Sequence, residues 1–462
     1  MSAPAPRLDE GFLAELRAIA GDRVATNASV RERHGRDESY HPGHPPDAVV
    51  FALSTDEVVA LVRACAARKS PIIPFGVGTS LEGHVAALKG GVCLDLSQMN
   101  RILAVRPEDM DASCEAGVTR KQLNESLRDQ GLFFSGDPGA DATLGGMAAT
   151  RASGTNAVRY GTMRDNVLSL AAVLADGRVI RTSRRARKSA AGYDLTRLFV
   201  GSEGTLGVIT EVTVRLQGIP EAISAAVSAF PDLESAVNTV IATIQAGVPV
   251  ARIELLDEVQ MKAINRHSKL AHREAPTLFF EFHGSDKSVV EQVETVAALA
   301  RDFGGADFQW AIRPEERAKL WQARHDAYYA ALALRPGSRG MATDVCVPIS
   351  RLAQCILETR ADIDRSGLIA PIVGHVGDGN FHVVFVVNPD DKDEMRRAAE
   401  VNERMVLRAI AMDGTCNGEH GVGYGKVEFL PAEHGEALVV MRTIKRALDP
   451  DGIMNPGKIL SP

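Results

Sequence analysis

The first half of the chain alternates short apolar runs with stretches that repeat at the helical period. The stretch 54–69 predicts a helix, and Ser54 and Glu57 stand at the spacing of a capping box. A second helix is predicted over 119–131, where Gly131 would end it. The apolar runs that predict strands occupy 47–53, 71–76, 91–96, 168–175, 178–182 and 204–216.

A different pattern begins near 215–222, where strands and helices both become longer. Such a mixture is typical of an α+β domain with an antiparallel sheet. We therefore predict two domains, 1–218 and 219–420, and a terminal helical segment, 421–462, that returns to the first domain. The predicted strands of the second half occupy 251–257, 277–284 and 342–348, and the predicted helices occupy 288–305, 314–334, 350–366 and 435–450.

Composition bounds the class of protein. The chain has 462 residues, which exceeds one ordinary core, with 45% hydrophobic and 24% charged residues. The net charge of −7 and the lack of a basic tract disfavour nucleic-acid binding. The six scattered cysteines and the absence of a CxxC pair suggest a reducing compartment. With no leader pattern in 1–21 and no spanning run, we predict a cytoplasmic location, with peripheral contact to the inner membrane left open.

Three glycine-rich segments stand in the first half, at 74–83, 136–167 and 199–214. Glycines let the backbone approach a ligand, and successive N–H groups form an anion nest. The first segment is neither a Walker loop nor a GxGxxG fingerprint, and alone it is equally well explained as a tight turn. Small residues also dominate the second segment, where a core would need bulk. Together the three suggest a large polyphosphate cofactor that lies along the backbone.

The stretch "GHVGDGNFH" carries a pair of histidines around a turn. Asp378-Gly379 is a two-residue hairpin signal, and this register would place His375 opposite His382. Opposed residues share a face with Cβ atoms about 4.5–5.5 Å apart, so both imidazoles can reach one divalent metal. A hydrogen-bonded histidine pair explains the spacing equally well. The stretch "CNGEHGVGYGK" offers Glu419 as a third ligand and His420 for proton transfer, or simply an exposed loop tip.

The motifs taken together resemble a known family. "PFGVGTSLEGH", "DATLGGMAATRASGTNAVRYGTMRDNV" and "LFVGSEGTLGVITEVTVRL" resemble the FAD-binding half of the vanillyl-alcohol-oxidase type FAD-linked oxidases. "GHVGDGNFH", "CNGEHGVG" and "MNPGKIL" resemble the other half of that family. The closest resemblance is to the D-lactate dehydrogenase (cytochrome) type, with D-2-hydroxyglutarate dehydrogenase and the glycolate oxidase flavin subunit as relatives. It implies an α+β fold: a two-lobed FAD-binding domain with a PCMH-type arrangement, and a substrate or cap domain.

The resemblance implies which residues hold FAD. Thr79 stands where some members carry a histidine that binds FAD covalently, so the FAD is expected to be non-covalent, and His84 is expected to be structural. The implied cofactor residues are Pro74, Gly76, Gly78, Thr79, Ser80, Gly83, Pro138, Thr143, Gly145, Gly146, Ser153, Gly154, Gly161, Glu203, Gly207, Ile209 and Asn455.

The resemblance also implies the catalytic set. His375, His382 and Glu419 would bind a divalent metal, with zinc first and manganese or iron as alternatives. His420 would remove the hydroxyl proton of a 2-hydroxy acid while the C2 hydride passes to flavin N5. Arg324 would bind the substrate carboxylate, and Tyr328, one turn on in the predicted helix, would line the pocket.

Two departures from the family bear on the substrate. D-2-hydroxyglutarate dehydrogenases carry a lysine where Ala342 stands and an asparagine where Val384 stands. A second substrate carboxylate is thus poorly provided for, and we expect D-lactate or a similar D-2-hydroxy acid. Glycolate and D-2-hydroxyglutarate remain alternatives within the family. The expected electron acceptor is a cytochrome c, a quinone or an electron-transfer flavoprotein, and a homodimer is left open.

Two other classes compete with the flavin dehydrogenase. One is a His2Glu metal-dependent hydrolase in which the glycine-rich half is a nucleotide-binding regulator. The other is a nucleotide-binding module without catalysis. Colour separates them, because only a flavoprotein is yellow when purified. The plasmalogen-type synthases also use FAD, but their substrate is phosphorylated and the chain shows no added basic cluster for it.

Overall fold

The computed structural model describes residues 8–460 as two compact units. The first unit comprises the chain up to Gly154, then Gly161–Ile219, and the chain from Glu419 onward, while Thr155–Tyr160 and Pro220–Gly418 form the second. The chain thus changes unit beside the predicted boundaries at 218 and 420, and the described residues 421–460 lie in the first unit.

One short segment, 155–160, lies in a different unit from the one predicted. Residues 155–160 were assigned to the first domain, but they belong to the second unit. The physical reason is a set of side-chain contacts to that unit's sheet: Arg159 donates to the main-chain oxygen of Pro249, and the hydroxyl of Tyr160 lies 2.7 Å from Nδ1 of His283.

A partly parallel sheet forms one lobe of the first unit. Its order is Val24–Ala25, Ala48–Phe51, Val92–Asp95 and Ile72–Phe75, in which the last three strands are parallel. All four residues of Val92–Asp95 are buried, as is expected for a central parallel strand covered on both faces. The predicted strands at 47–53, 71–76 and 91–96 are therefore present.

An antiparallel sheet forms the other lobe of the first unit. Its order is Ile102–Arg106, Asp111–Glu115, Val208–Arg215, Val167–Val173 and Val179–Arg181. A two-stranded ribbon, Gln217–Gly218 with Leu132–Phe133, lies outside it. The helices of the first unit are Glu10–Ala20, Ala28–His34, Thr55–Ala67, Arg120–Leu127, Leu144–Thr150, Met163–Asn166, Leu195–Phe199, Leu430–His434 and Ala437–Leu448.

The predicted capping box is half formed. Oγ of Ser54 accepts a hydrogen bond from the main-chain nitrogen of Glu57 at 3.2 Å. The carboxylate of Glu57 instead accepts from the nitrogen of Leu53 and from Arg23, which is a stronger, charge-assisted partner.

One eight-stranded sheet organises the second unit, and every paired strand in it is antiparallel. Its main path runs Ala306–Ala311, Ala222–Ala229, Thr277–Gly284, Val250–Leu256, Ile372–Gly374, Asn380–Val387 and Arg339–Ala342, and Val345–Cys346 also pairs with Asn380–Val387. Its helices are Ala157–Tyr160, Leu233–Gln245, Glu258–Ser268, Asp286–Asp302, Pro314–His325, Ala327–Ala333, Leu352–Ser366 and Lys392–Ala411.

The helix predicted over 314–334 is two helices, Pro314–His325 and Ala327–Ala333. Between them, the carboxylate of Asp326 accepts a hydrogen bond from Ser268 at 2.5 Å. Tyr328 therefore does not share a single helix with Arg324, and its place on the pocket lining stays a prediction.

Two further observations concern the chain as described. Within residues 8–460, no helix combines the length and the apolarity needed to cross a bilayer. All six cysteines are free thiols, and only Cys346 is not fully buried.

Candidate active site

A cleft in the first unit is lined mostly by small side chains and main chain. It encloses about 1190 Å³ of empty space out to its open mouth. The strand Ile72–Phe75 ends at one wall, and the helix Leu144–Thr150 forms another. The predicted cofactor residues that line the cleft are Pro74, Gly76, Gly78, Thr79, Ser80, Pro138, Thr143, Gly145, Gly146, Ser153, Glu203, Gly207, Ile209 and Asn455.

The other three predicted glycines shape the chain beside the cleft instead of lining it. Gly83, Gly154 and Gly161 all have positive φ. A Cβ on Gly154 would stand 1.6 Å from the main-chain oxygen of Asp137, and one on Gly83 would stand 2.3 Å from the ring of Tyr424. No other residue fits such close approaches, so these glycines act through the backbone.

The lining fits an extended dinucleotide. Alanines also line the cleft: Ala142 and Ala149 belong to the small residues of the second glycine-rich segment, and Ala116 was not marked in the sequence. Such surfaces accept a flat ring system and let main-chain N–H groups approach phosphates. The residues present therefore suit FAD.

His84 lines this cleft as a buried cation. Its Nε2 lies 3.4 Å from a carboxylate oxygen of Glu203, and its Nδ1 lies 3.8 Å from Asp37. Burial alone would lower the pKa of His84, but the two carboxylates outweigh burial and raise it to about 10. The residue expected to be only structural thus places a positive charge at the cofactor cleft.

Glu203 and Asn455 hold the same end of the cleft together. The carboxylate of Glu203 accepts hydrogen bonds from the nitrogens of Val422 and Gly423, at 2.6 and 2.8 Å. The amide of Asn455 donates to the main-chain oxygens of Glu203 and His84, at 2.7 and 3.1 Å. Asn455 therefore shapes the cleft by fixing two of its lining residues.

Glu419 and His420 lie on the lining of the cleft as well. The carboxylate of Glu419 accepts a hydrogen bond from the nitrogen of Gly154 at 2.6 Å. Nδ1 of His420 stands 4.0 Å from a carboxylate oxygen of Glu82, which Lys426 also approaches at 3.4 Å. The predicted metal ligand Glu419 and the predicted base His420 therefore lie on a cleft lining of the first unit and not on an exposed tip.

The histidine pair lies in the second unit, but not in the predicted register. His382 pairs with Val373, not with His375, because a short 3₁₀ turn at Val376–Asp378 lengthens the connection. Gly379 closes that turn with a φ of 80°. The two imidazole rings nevertheless lie edge to face, with centroids 5.2 Å apart.

The hydrogen bonds of the two rings define which nitrogen could bind a metal. Nδ1 of His375 lies 2.7 Å from Glu254, and Nδ1 of His382 lies 3.0 Å from the main-chain oxygen of Thr343. Both acceptors require a proton on Nδ1, so both lone pairs are on Nε2. This donor set fits a divalent cation such as zinc, manganese or iron.

Arg324 is held by the same carboxylate. Its Nε donates to Oε2 of Glu254 at 2.7 Å, and its side chain is largely buried. A guanidinium carries further N–H donors on its terminal nitrogens, so this contact leaves the chemistry for a substrate carboxylate in place. Tyr328 is 40% exposed and packs over Gly340. Glu254 had no motif to mark it in the sequence.

Two family models match the chain. The FAD binding domain matches residues 46–183, and the C-terminal domain of the FAD linked oxidases matches residues 219–459. The chain belongs to the FAD linked oxidases, as the motifs predicted.

Within this family, the chain is similar to curated D-lactate dehydrogenases. "Probable D-lactate dehydrogenase, mitochondrial" from Danio rerio is 56% identical over 98% of this chain and 92% of the relative. "D-lactate dehydrogenase [cytochrome], mitochondrial" from Arabidopsis thaliana is 49% identical over 98% of this chain and 80% of the relative. The chain is thus an FAD-linked dehydrogenase similar to the D-lactate dehydrogenases, which confirms the predicted enzyme class over the hydrolase and the binding module.

Solved structures bear on the fold alone. The 4-ethylphenol oxidase from Gulosibacter chungangensis superposes with a TM-score of 0.82 at 18% identity and covers 99% of both chains. A p-cresol methylhydroxylase superposes with a TM-score of 0.79 at 18% identity, over 98% of both chains. The predicted α+β fold of the vanillyl-alcohol-oxidase type is confirmed.

The predicted cytoplasmic location is wrong. The relatives from Danio rerio and Arabidopsis thaliana are named as mitochondrial proteins, and so are those from Kluyveromyces lactis and Saccharomyces cerevisiae. These names point to the mitochondrion. The prediction failed because it relied on a missing leader pattern at the start of the chain.

Proposed function

We propose that this protein oxidises a small D-2-hydroxy acid, D-lactate in the first place, to the 2-oxo acid and passes the electrons to an external acceptor. The names of the D-lactate dehydrogenase relatives support this substrate class. The cleft that suits FAD and the two Nε2 donors of the histidine pair support the chemistry.

When bound, FAD would supply the acceptor for the C2 hydride, and a divalent cation would supply a Lewis acid for the substrate hydroxyl. The side chains of His375, His382 and Glu419 would hold the cation.

Two other side chains would handle the substrate. His420 would take the hydroxyl proton, because an imidazole has a pKa near neutrality. Arg324 would bind the carboxylate through its terminal nitrogens while Glu254 fixes its Nε. We also keep the prediction that Tyr328 lines the substrate pocket.

The observation that carries the choice of substrate is an apolar pair. Ala342 and Val384 are direct partners on adjacent antiparallel strands of the second unit. At the two matching positions, the D-2-hydroxyglutarate dehydrogenases carry a lysine and an asparagine. Two apolar neighbours at one place favour a short or apolar substituent over a second carboxylate, whose unpaired burial is costly.

Anaerobic stopped-flow measurement of flavin bleaching tests the proposal. D-lactate and D-2-hydroxybutyrate should bleach the flavin fastest, glycolate more slowly, and L-lactate should leave it oxidised. D-2-hydroxyglutarate should be at least about tenfold less efficient, since about 1.4 kcal/mol of lost binding accounts for a factor of ten. The double variant Ala342→Lys, Val384→Asn should reduce that gap.

Two outcomes would contradict the substrate choice. One is faster bleaching by D-2-hydroxyglutarate than by D-lactate in the unmodified enzyme. The other is a double variant that loses D-lactate turnover without any gain on the dicarboxylate. A colourless folded protein would contradict the flavin itself.

For the electron acceptor, we propose three classes of partner. A cytochrome c, a quinone or an electron-transfer flavoprotein could each reoxidise the flavin, and the word "cytochrome" in the name of the Arabidopsis relative favours the first. Zinc is the first metal to test, followed by manganese and iron. A homodimer stays a prediction.

A further inference from the structure

We propose that Glu254 is a positioning residue that orients both a metal ligand and the substrate-binding arginine. This inference rests on the proposed function, because it assigns roles to His375 and Arg324. Nothing in the sequence motifs includes Glu254, which lies in the middle of the strand Val250–Leu256.

The geometry carries the inference. Oε1 of Glu254 accepts from Nδ1 of His375 at 2.7 Å, and Oε2 accepts from Nε of Arg324 at 2.7 Å. The Glu254 side chain has no exposed surface, so each oxygen depends on these partners. One carboxylate therefore sets the ring orientation of His375 and the direction of the Arg324 guanidinium at the same time.

The strand holds this carboxylate in place. Glu254 pairs with Phe279 on one side, and its neighbour Leu255 pairs with Gly374, the residue before His375, on the other. Backbone hydrogen bonds of a sheet interior leave little freedom, so the separation between Glu254 and His375 is fixed by the ladder. A site supported by strands is more sharply defined than one on loops.

Charge explains why a carboxylate is needed here. An anion at Nδ1 makes the opposite ring nitrogen a better donor to a cation. At His382 the hydrogen-bond acceptor of Nδ1 is the main-chain oxygen of Thr343 at 3.0 Å, and the carboxylate of Asp344 lies 3.6 Å from the same nitrogen.

The test compares zinc affinity among variants of the full-length flavoprotein. Metal-stripped protein is titrated with Zn²⁺ against a chromophoric chelator, and half-saturation of flavin reduction by D-lactate is measured after reloading. Glu254→Gln should weaken zinc binding by about 10–100-fold, the usual loss for a partner of a ligating histidine. It should also raise the D-lactate concentration needed for half-saturation, whereas Arg324→Lys should raise only the latter.

Glu281→Gln is the matched control. Glu281 lies on the adjacent strand, also buried, and accepts from His283 at 2.8 Å with Arg252 at 3.5 Å. Removing its charge disturbs a similar histidine–carboxylate–arginine group outside the proposed metal set. Zinc affinity should therefore stay unchanged in this variant, even if its melting temperature falls as much as that of Glu254→Gln.

The outcomes separate the inference from the function on which it rests. Zinc binding by the unmodified protein together with equal affinity in Glu254→Gln would overturn the inference and leave the proposed function standing. No zinc binding by the unmodified protein, with manganese and iron also negative, would overturn both. If Glu254→Gln does not fold, Glu254→Asp withdraws the carboxylate while keeping its charge, and unchanged zinc affinity there would also contradict the inference.

Discussion

At the scale of single residues, the buried charge of His84 makes the free energy of unfolding depend on pH. Its pKa is raised to about 10 from an ordinary value of 6.5, because Glu203 and Asp37 outweigh the cost of burial. The folded protein thus holds a proton that the unfolded chain releases above about pH 6.5. The stability due to this proton is complete below that pH and is lost as the pH rises toward 10.

Replacing His84 should remove this pH dependence. The free energy of unfolding of the unmodified protein should fall as the pH rises from 7 to 9.5, at up to about 1.4 kcal/mol per unit more than in His84→Gln. Urea unfolding at a series of pH values, followed by circular dichroism, measures both slopes. Parallel slopes would mean that His84 is neutral in the folded state.

The sequence predicted residues that belong to motifs and missed residues that act through distant pairing. Gly76, Thr143 and Glu203 were predicted from the resemblance to the FAD-linked oxidases, and all three line the cleft. Glu254 meets Arg324 and His375 across separations of 70 and 121 residues, which only the folded second unit brings together. No local pattern encodes such a partner.

At the scale of elements, periodicity predicted the types of element better than their ends. The buried strands and amphipathic helices were present, since burial on one face imposes its period directly. The break at Asp326 and the turn at Val376–Asp378 were missed, because a hydrogen bond to Ser268 and a 3₁₀ turn decide them. The Asp-Gly signal was correct as a turn and wrong as a register.

The helix Leu144–Thr150 offers a prediction at this scale. It lines the cleft through small residues, so Ala149→Phe should fill space that the cofactor needs. Overpacking of about 1–3 kcal/mol corresponds to a loss of about 5–150-fold in FAD affinity. Flavin absorbance per protein after gel filtration measures the occupancy.

A matched substitution separates filling of the cleft from loss of fold. Ala66 is also a half-buried helical alanine, but it lies in the helix Thr55–Ala67, away from the cleft lining. Ala66→Phe should cost comparable stability and keep its FAD. Equal flavin loss in both variants would show that the effect comes from general destabilisation.

At the scale of the whole molecule, the residues of the proposed reaction divide between the two units. Every residue that lines the FAD cleft belongs to the first unit, and His375, His382, Glu254 and Arg324 belong to the second. The return of the chain after 420 to the first unit was predicted from the sequence, whereas the place of Thr155–Tyr160 in the second unit was not. Cofactor retention and metal retention should therefore be separable.

Metal removal tests this separation. Dialysis against a chelator should leave the flavin spectrum unchanged, because no residue of the histidine pair lines the FAD cleft as described. Turnover of D-lactate should fall by about two to three orders of magnitude, since a Lewis acid contributes several kcal/mol to such a step. Zn²⁺ or Mn²⁺ should restore turnover, and His382→Ala should not be restored. Full activity in protein shown to be metal-free by elemental analysis would refute the metal role, while loss of FAD together with the metal would refute the division between the units.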